Sequence, residues 1–222
     1  MKLQAICLAA LGLVAAAGAQ AQSAGTIIGR LGATNINPKV ESGDLSAPSL
    51  VHTTIDIKEA SQLSGGLTYM VSDNIAIDLP IGLAFKHKVI GTGAIANVGK
   101  LADVKSLPIT LLGQYRFGAA NASLRPFVGA GAVYGRFFGA RSTMALTGLT
   151  GGTPTTPTTM SMKNAFGAAG QVGLIANLGS RFSAEFSVLK VKLKTTGTLS
   201  TGQTIDARLD PVAVHVGVGY SY

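Results

Sequence analysis

The chain has 222 residues, 47% of them hydrophobic, with 29 glycines, no tryptophan, a mean hydropathy of +0.39 and a net charge of +8. No stretch beyond residue 21 reaches a run of about 18 apolar residues, so helical membrane spans are excluded. The positive charge is spread along the chain without a concentrated Lys/Arg patch interleaved with aromatics, which argues against nucleic acid as a partner.

The N-terminus has the layout of an export leader. Met1-Lys2 is a short basic segment, Ile6 to Ala17 is apolar, and Ala19-Gln20-Ala21 is a small-x-small cleavage site. Cleavage is expected after Ala21, leaving residues 22–222 as one domain with a charge of +7 once Lys2 is lost. The apolar core is too short for a membrane anchor. The lone cysteine, Cys7, falls inside the leader and too early for a lipid attachment point, so the mature chain has no disulfide or thiolate chemistry.

Eight segments then alternate with a period of two, the pattern of β-strands with one apolar face. They are Thr26 to Asn35, Ala60 to Val71, Ile75 to Lys86, Leu107 to Phe117, Arg125 to Phe138, Ala165 to Leu178, a strand starting at Phe182, and Leu209 to Tyr222. The third carries an unbroken apolar stripe, Ile75, Ile77, Leu79, Ile81, Leu83 and Phe85, read here as facing lipid. The fifth is apolar or glycine on both faces, and its register is not readable. The eighth places Val214, Val216, Val218, Tyr220 and Tyr222 on one face, which suits lipid and the membrane–water interface.

The connections alternate in length. Ser72-Asp73-Asn74, Gly118 to Leu124 and Gly179-Ser180-Arg181 are short turns, whereas Asn37–Glu59, His87–Ser106, Gly139–Asn164 and Thr195–Arg208 are long. Short turns on one side and long loops on the other describe an outer-membrane barrel, with the turns in the periplasm and the loops outside. The run Thr153-Pro154-Thr155-Thr156-Pro157-Thr158-Thr159 falls in the third long loop and reads as a solvated, mobile tip.

Strand phase assigns the lumen. Ile28, Arg30, Gln62, Asp78, Leu112, Gln114, Arg116, Glu185 and His215 fall on the inner face. Pro80, Ala84, Leu189 and Val191 continue its upper wall. An eight-stranded barrel is barely wide enough for its own side chains, so these charges should pair: Arg30 or Arg116 with Asp78 or Glu185, closing the periplasmic half. Apolar and small residues above suggest a greasy pocket open to the outside, with sideways exit where Pro80, Pro108 or Pro126 interrupts pairing.

Other chemistries find little support. His87, Ser106 and Asp103 could form a rim triad, but serines and acids are common enough for chance to supply one. No cluster has metal-ligand spacing, and Lys86 and Lys88 flank the His87 imidazole. No catalysis, metal or cofactor is expected.

Four stretches in order resemble the OmpW family of small outer-membrane proteins: Asp73-Asn74-Ile75-Ala76-Ile77-Asp78 to Phe85-Lys86-His87, Leu107-Pro108-Ile109-Thr110 to Gln114-Tyr115, Arg125-Pro126-Phe127-Val128-Gly129-Ala130-Gly131 to Phe137-Phe138, and Asp210-Pro211 to Gly217-Val218-Gly219-Tyr220. The final Tyr in place of the commoner Phe and the Thr/Pro insertion depart from the pattern. The resemblance implies a passive conduit for small hydrophobic molecules in the outer membrane of a Gram-negative bacterium. Expected partners are outer-membrane lipid and lipopolysaccharide, small hydrophobic solutes, and the barrel-insertion machinery, which reads an aromatic terminus. A monomer is expected. The competing reading is a structural or receptor-type barrel with a plugged lumen, acting through its loops.

Overall fold

The structure, a computed structural model, describes residues 22–222; the leader expected over residues 1–21 lies outside them. Fourteen strands follow in chain order: β1 (Ile27–Asn37), β2 (Glu41–Ser42), β3 (Thr53–Ile57), β4 (Ala60–Met70), β5 (Ile75–Gly82), β6 (Phe85–Gly93), β7 (Lys100–Arg116), β8 (Leu124–Ser142), β9 (Met160–Met162), β10 (Ala165–Asn177), β11 (Phe182–Lys192), β12 (Lys194–Leu199), β13 (Thr204–Arg208) and β14 (Val212–Ser221). One α-helix, α1 (Met144–Leu149), lies between β8 and β9, with Thr143 capping its first turn through a hydrogen bond from the Leu146 amide, and a single 3-10 turn, Ala96–Val98, joins β6 to β7.

β5 and β6 together make one wall strand. Counted so, β1, β4, β5/β6, β7, β8, β10, β11 and β14 form a closed, antiparallel, eight-stranded barrel. The ring closes where β1 pairs with β14, from Ile28 against Ser221 to Asn37 against Val212. Closure gives every wall strand a neighbour on both sides, the condition for backbone to cross a bilayer, with one interruption in the ladder between β5/β6 and β7. Ile27, Leu31, Leu67, Ile77, Leu111, Val172, Phe186 and Val218 are all exposed and form the lipid-facing band. Aromatics collect at its periplasmic edge. Tyr220 packs edge-on against Phe182 at 5.1 Å and Tyr222 at 4.9 Å, and the Arg181 guanidinium donates to the Tyr220 hydroxyl at 2.9 Å.

The wall is taller than the alternation suggests. β7 begins at Lys100 and β8 runs to Ser142, so much of His87–Ser106 is a hairpin continuing the barrel above the membrane, not a loop. Its outward positions are charged rather than apolar, which hides the strand from a search for lipid-facing stripes. Above it, β2, β13, β12 and β9 form a second sheet. This roof packs over an apolar cluster of Ile95, Leu101, Leu146 and Leu199. The Thr/Pro run is a tight turn and not a loose tip throughout: Thr158 is buried, and its amide donates to the Thr147 hydroxyl at 3.2 Å.

Two differences in phase matter. β8 turns Arg125, Phe127 and Val133 inward, a choice its apolar faces concealed. The apolar stripe of the third wall strand breaks after Leu83. Ile81 and Leu83 face out, but Phe85 is 2% exposed and faces in, while Lys86 and Lys88 face out. The phase flips because the wall strand carries one residue too many for its partner β7. Asp78 pairs with Leu112 and Phe85 with Ser106, so six residues, 79–84, stand against five, 107–111.

Candidate functional site: the lumen

The inward side chains sort into a polar floor and an apolar chamber. At the floor, Arg30 of β1 sits between two carboxylates: Nη1 donates to Glu185 Oε1 at 2.6 Å, and Nη2 pairs with Asp78. Asp78 also accepts from the Thr68 hydroxyl at 2.7 Å. Glu185 accepts from the Ser187 hydroxyl, Ser187 takes the Gln171 amide, and Gln114 donates to Gln171 Oε1 at 2.8 Å. The chain ends at Arg116, which donates to Gln114 Oε1 and to Gln22 Oε1 at 2.8 Å; Gln22 in turn donates to Asn177. Hydrogen bonds thus run from wall to wall across the lumen.

Of the expected pairings, Arg30 makes both and Arg116 makes neither. Arg116 is 1% exposed and is held by amide oxygens. Arg125, fully buried, was not among the sequence candidates because the fifth strand's phase was open; its Nη2 donates to the Asp73 carbonyl at 2.6 Å and ties the Ser72–Asn74 turn to its neighbour. Gln22 and Gln171 were likewise passed over, though Gln171 lies on the polar face of its strand.

Above the floor lies an apolar cavity of about 130 Å³. Phe85, Val133, Phe137, Leu189, Val191 and Leu193 furnish its walls, and Arg30 and His215 meet its base. An apolar cavity of this size suffices for a benzene-sized guest. Pro80 lines it as well. Ile28 and Leu112 are buried on the inner face without lining it; Ile28 packs with Met70 and Ala76. Gln62 is half-buried, and its amide donates to the Ala84 carbonyl at 3.3 Å. Ala84 is the clear departure: it sits at the phase break and lines no part of the chamber. A second apolar cavity, about 70 Å³, lies in the roof between Leu45, Ile55, Ile95, Leu146 and Leu199. Ile55 and Met160 pack against the apolar clusters of both levels.

The histidines take separate roles. His215 lies over Gly32 and Gly217, where added Cβ atoms would come within 2.9 and 2.7 Å of its ring. Its Nδ1 is 3.0 Å from the Thr34 hydroxyl, and its Nε2 has no protein partner among the described residues. His87, above the lipid band, donates or accepts at both nitrogens: Nδ1 to the Lys58 carbonyl at 2.8 Å and Nε2 with the Ser106 hydroxyl at 3.1 Å. Burial holds its pKa below the usual histidine range, so the neutral ring donates to the carbonyl and accepts from serine. Asp103 does not complete a triad. It faces outward and takes Lys100 at 2.8 Å.

The wall beside the chamber is open on one seam. Residues 79–84 and 107–111 form no ladder pairs with each other, although 79–82 are paired to β4 and 107–111 to β8 on their other sides. Pro80 and Pro108 both lie in the gap, and each removes a backbone donor the ladder would need. Pro126, by contrast, stands in register with Leu174. The gap is apolar on both sides: Ile81, Leu83, Ile109 and Leu111 face lipid, and Pro80, Gly82 and Pro108 face the cavity.

The sequence model of the OmpW family matches residues 23–222. Outer membrane protein W of Salmonella typhi is 36% identical over 139 residues, 62% of this chain and 62% of its own length, so the match spans under two thirds of that relative. Outer membrane protein AlkL of Ectopseudomonas oleovorans is 27% identical over 191 residues, 82% of this chain and 76% of its own. The crystal structure of the outer membrane protein OprG from Pseudomonas aeruginosa superposes with a TM-score of 0.82 at 27% identity, covering 92% of this chain and 99% of that one.

Proposed function

The chain belongs to the OmpW family, an outer-membrane barrel of Gram-negative bacteria, and from that premise we propose that it passes small hydrophobic molecules from outside into the membrane without energy input. The observation that carries this reading is the apolar chamber that ends on a polar floor and abuts an unpaired seam. A solute cannot continue straight down, because the floor is filled by buried, hydrogen-bonded side chains whose desolvated charges are costly to separate. The seam offers the other direction, carbon-lined on both faces and without the ladder pairs that would have to separate.

Of the sequence candidates, Pro80 belongs to the exit and His215 and Arg30 to the base of the chamber. The unpartnered His215 Nε2 and Arg30 Nε suit the polar end of an amphipathic guest whose tail lies among Phe85, Leu189 and Val191. Asp78, Glu185, Gln114 and Arg116 belong to the floor, and Ile28, Leu112, Gln62 and Ala84 to the wall that frames it.

The test closes the seam covalently. Cys7 is the only cysteine, so Ile81→Cys with Ile109→Cys puts one chosen thiol pair across the gap once the leader is gone. Joined by oxidation or a short bis-thiol linker, the protein in liposomes should take up a hydrophobic tracer at the protein-free rate, and reduction of the disulfide should restore uptake. Unchanged uptake in the joined form would rule out the seam, and uptake no faster than empty liposomes in the open form would rule out passage altogether.

A further inference from the structure

Immediately above the seam, the outward face of the wall changes from carbon to cation on three adjacent strands. On β5/β6 the outward series runs Ile81, Leu83, Lys86, Lys88; on β7 it runs Ile109, Leu107, Lys105; on β8, Arg136 lies across from Leu107 and Phe138 across from Lys105. Lys86 is the direct cross-strand partner of Lys105, and Lys88 of Asp103, which in turn faces Arg141. Lys100 Nζ lies 2.8 Å and Lys86 Nζ 3.6 Å from one Asp103 oxygen. Lys86, Lys88, Lys100, Lys105, Arg136 and Arg141 thus lie on β6, β7 and β8 with Asp103 the one carboxylate on those three strands; Asp56 of the neighbouring β3 is taken by Lys58 at 2.9 Å.

Like charges placed directly opposite on neighbouring strands oppose pairing. Lys86 against Lys105 therefore weakens the hairpin unless anions offset it; Asp103 reaches Lys86 at 3.6 Å, and Lys105 has no ion-pair partner among the described residues. The surroundings specify the anion. The row lies one outward step above Leu83 and Leu107, at the level where lipid head groups replace acyl chains, on the side of the long loops. Arg136 stacks over Phe138, 5.7 Å from the ring centroid, presenting a guanidinium plane beside an aromatic that remains lipid-accessible. Arg and Lys at such a boundary suit phosphate, the one as a planar fork and the other as a mobile point charge. The opposite wall differs: Lys190, Lys192 and Lys194 also face out, but Arg208 there is paired with Glu41 at 2.9 Å and Asp210 lies in the same cleft.

We propose that the outward face of β6, β7 and β8 is a binding site for the phosphates of outer-leaflet lipid A, with Asp103 holding Lys86 and Lys100 in place. The acyl chains of the same molecule then lie against Leu83, Ile109 and Leu111, along the mouth of the seam.

Native mass spectrometry of the folded protein in detergent reads the site directly. Bis-phosphorylated lipid A should remain bound, and lipid A stripped of both phosphates and phosphatidylglycerol should not. The triple variant K86Q/K105Q/R141Q should lose affinity by about tenfold or more, whereas K190Q/K192Q/K194Q, which removes the same charge from the opposite wall, should stay within about twofold. Equal losses in the two variants would reduce the site to diffuse charge, and equal retention of the dephosphorylated lipid or of phosphatidylglycerol would overturn phosphate recognition. Should the first variant fail to fold, a salt titration of the unaltered protein decides: retention must fall as ionic strength rises, and retention indifferent to salt would refute the proposal.

Discussion

Arg30 is the residue on which the lumen turns. It satisfies Asp78 and Glu185 together, and all three side chains are almost fully removed from solvent. Arg30→Met leaves two buried carboxylates without a cation, which should cost about 3–5 kcal/mol. Urea unfolding of the protein in bilayers, followed by the mobility difference between folded and unfolded barrel, checks this. Replacing all three at once, Arg30→Met with Asp78→Leu and Glu185→Leu, should recover more than half of that loss, because no charge is left stranded. A triple variant as unstable as the single one would mean that Arg30 acts by packing instead. That inward charges would pair was legible from strand phase, since Arg30, Arg116, Asp78 and Glu185 share a narrow barrel; which arginine would hold the acids was not. That Arg116 binds only amides was not, because β7 and β10 had to be brought into contact before Gln114 could meet Gln171.

At the scale of the element, the third wall strand carries the proposed route of passage. Its apolar stripe announces a membrane strand, yet an extra residue between Asp78 and Phe85 flips the phase and, with Pro80 and Pro108, leaves the seam unpaired. Restoring the missing donors should close it. Pro80→Val with Pro108→Val is expected to slow amide exchange across residues 79–84 and to reduce tracer uptake severalfold, with unfolding in urea unchanged or shifted to higher concentration. Uptake at the original rate despite slowed exchange would separate the seam from transport. The prolines were visible in the sequence. The extra residue was not, because a count of residues against a partner strand exists only once the register is set. The same limit concealed the inward turn of Arg125 and Phe127 on β8.

At the scale of the whole molecule, barrel and roof are built on different terms. The barrel is held by a ring of paired strands broken only at the seam, by lipid and by the floor network; the roof is held by small apolar clusters beneath short strands and α1. Residues 153–157 touch little beyond their own turn, and Gly152 lies close beside Thr158. Excising them should leave urea unfolding unchanged and uptake within about twofold, whereas a substantial loss of either would give the Thr/Pro turn a role in closing the chamber. The sequence by itself determined the eight-stranded architecture, the alternation of short and long connections, most of the lipid-facing stripes and most of the inner-face residues. These follow from the two-residue period of a strand and from the medium on either side of it, both local properties. Only the tertiary structure decided that Arg30 alone holds both floor carboxylates, that the unpaired seam lies at Pro80 and Pro108 and not at Pro126, and that Lys86, Lys88, Lys105, Arg136 and Arg141 share the outward face of three neighbouring strands. Each of those depends on which strands become neighbours and in what register, and a periodic pattern is equally satisfied by several such arrangements.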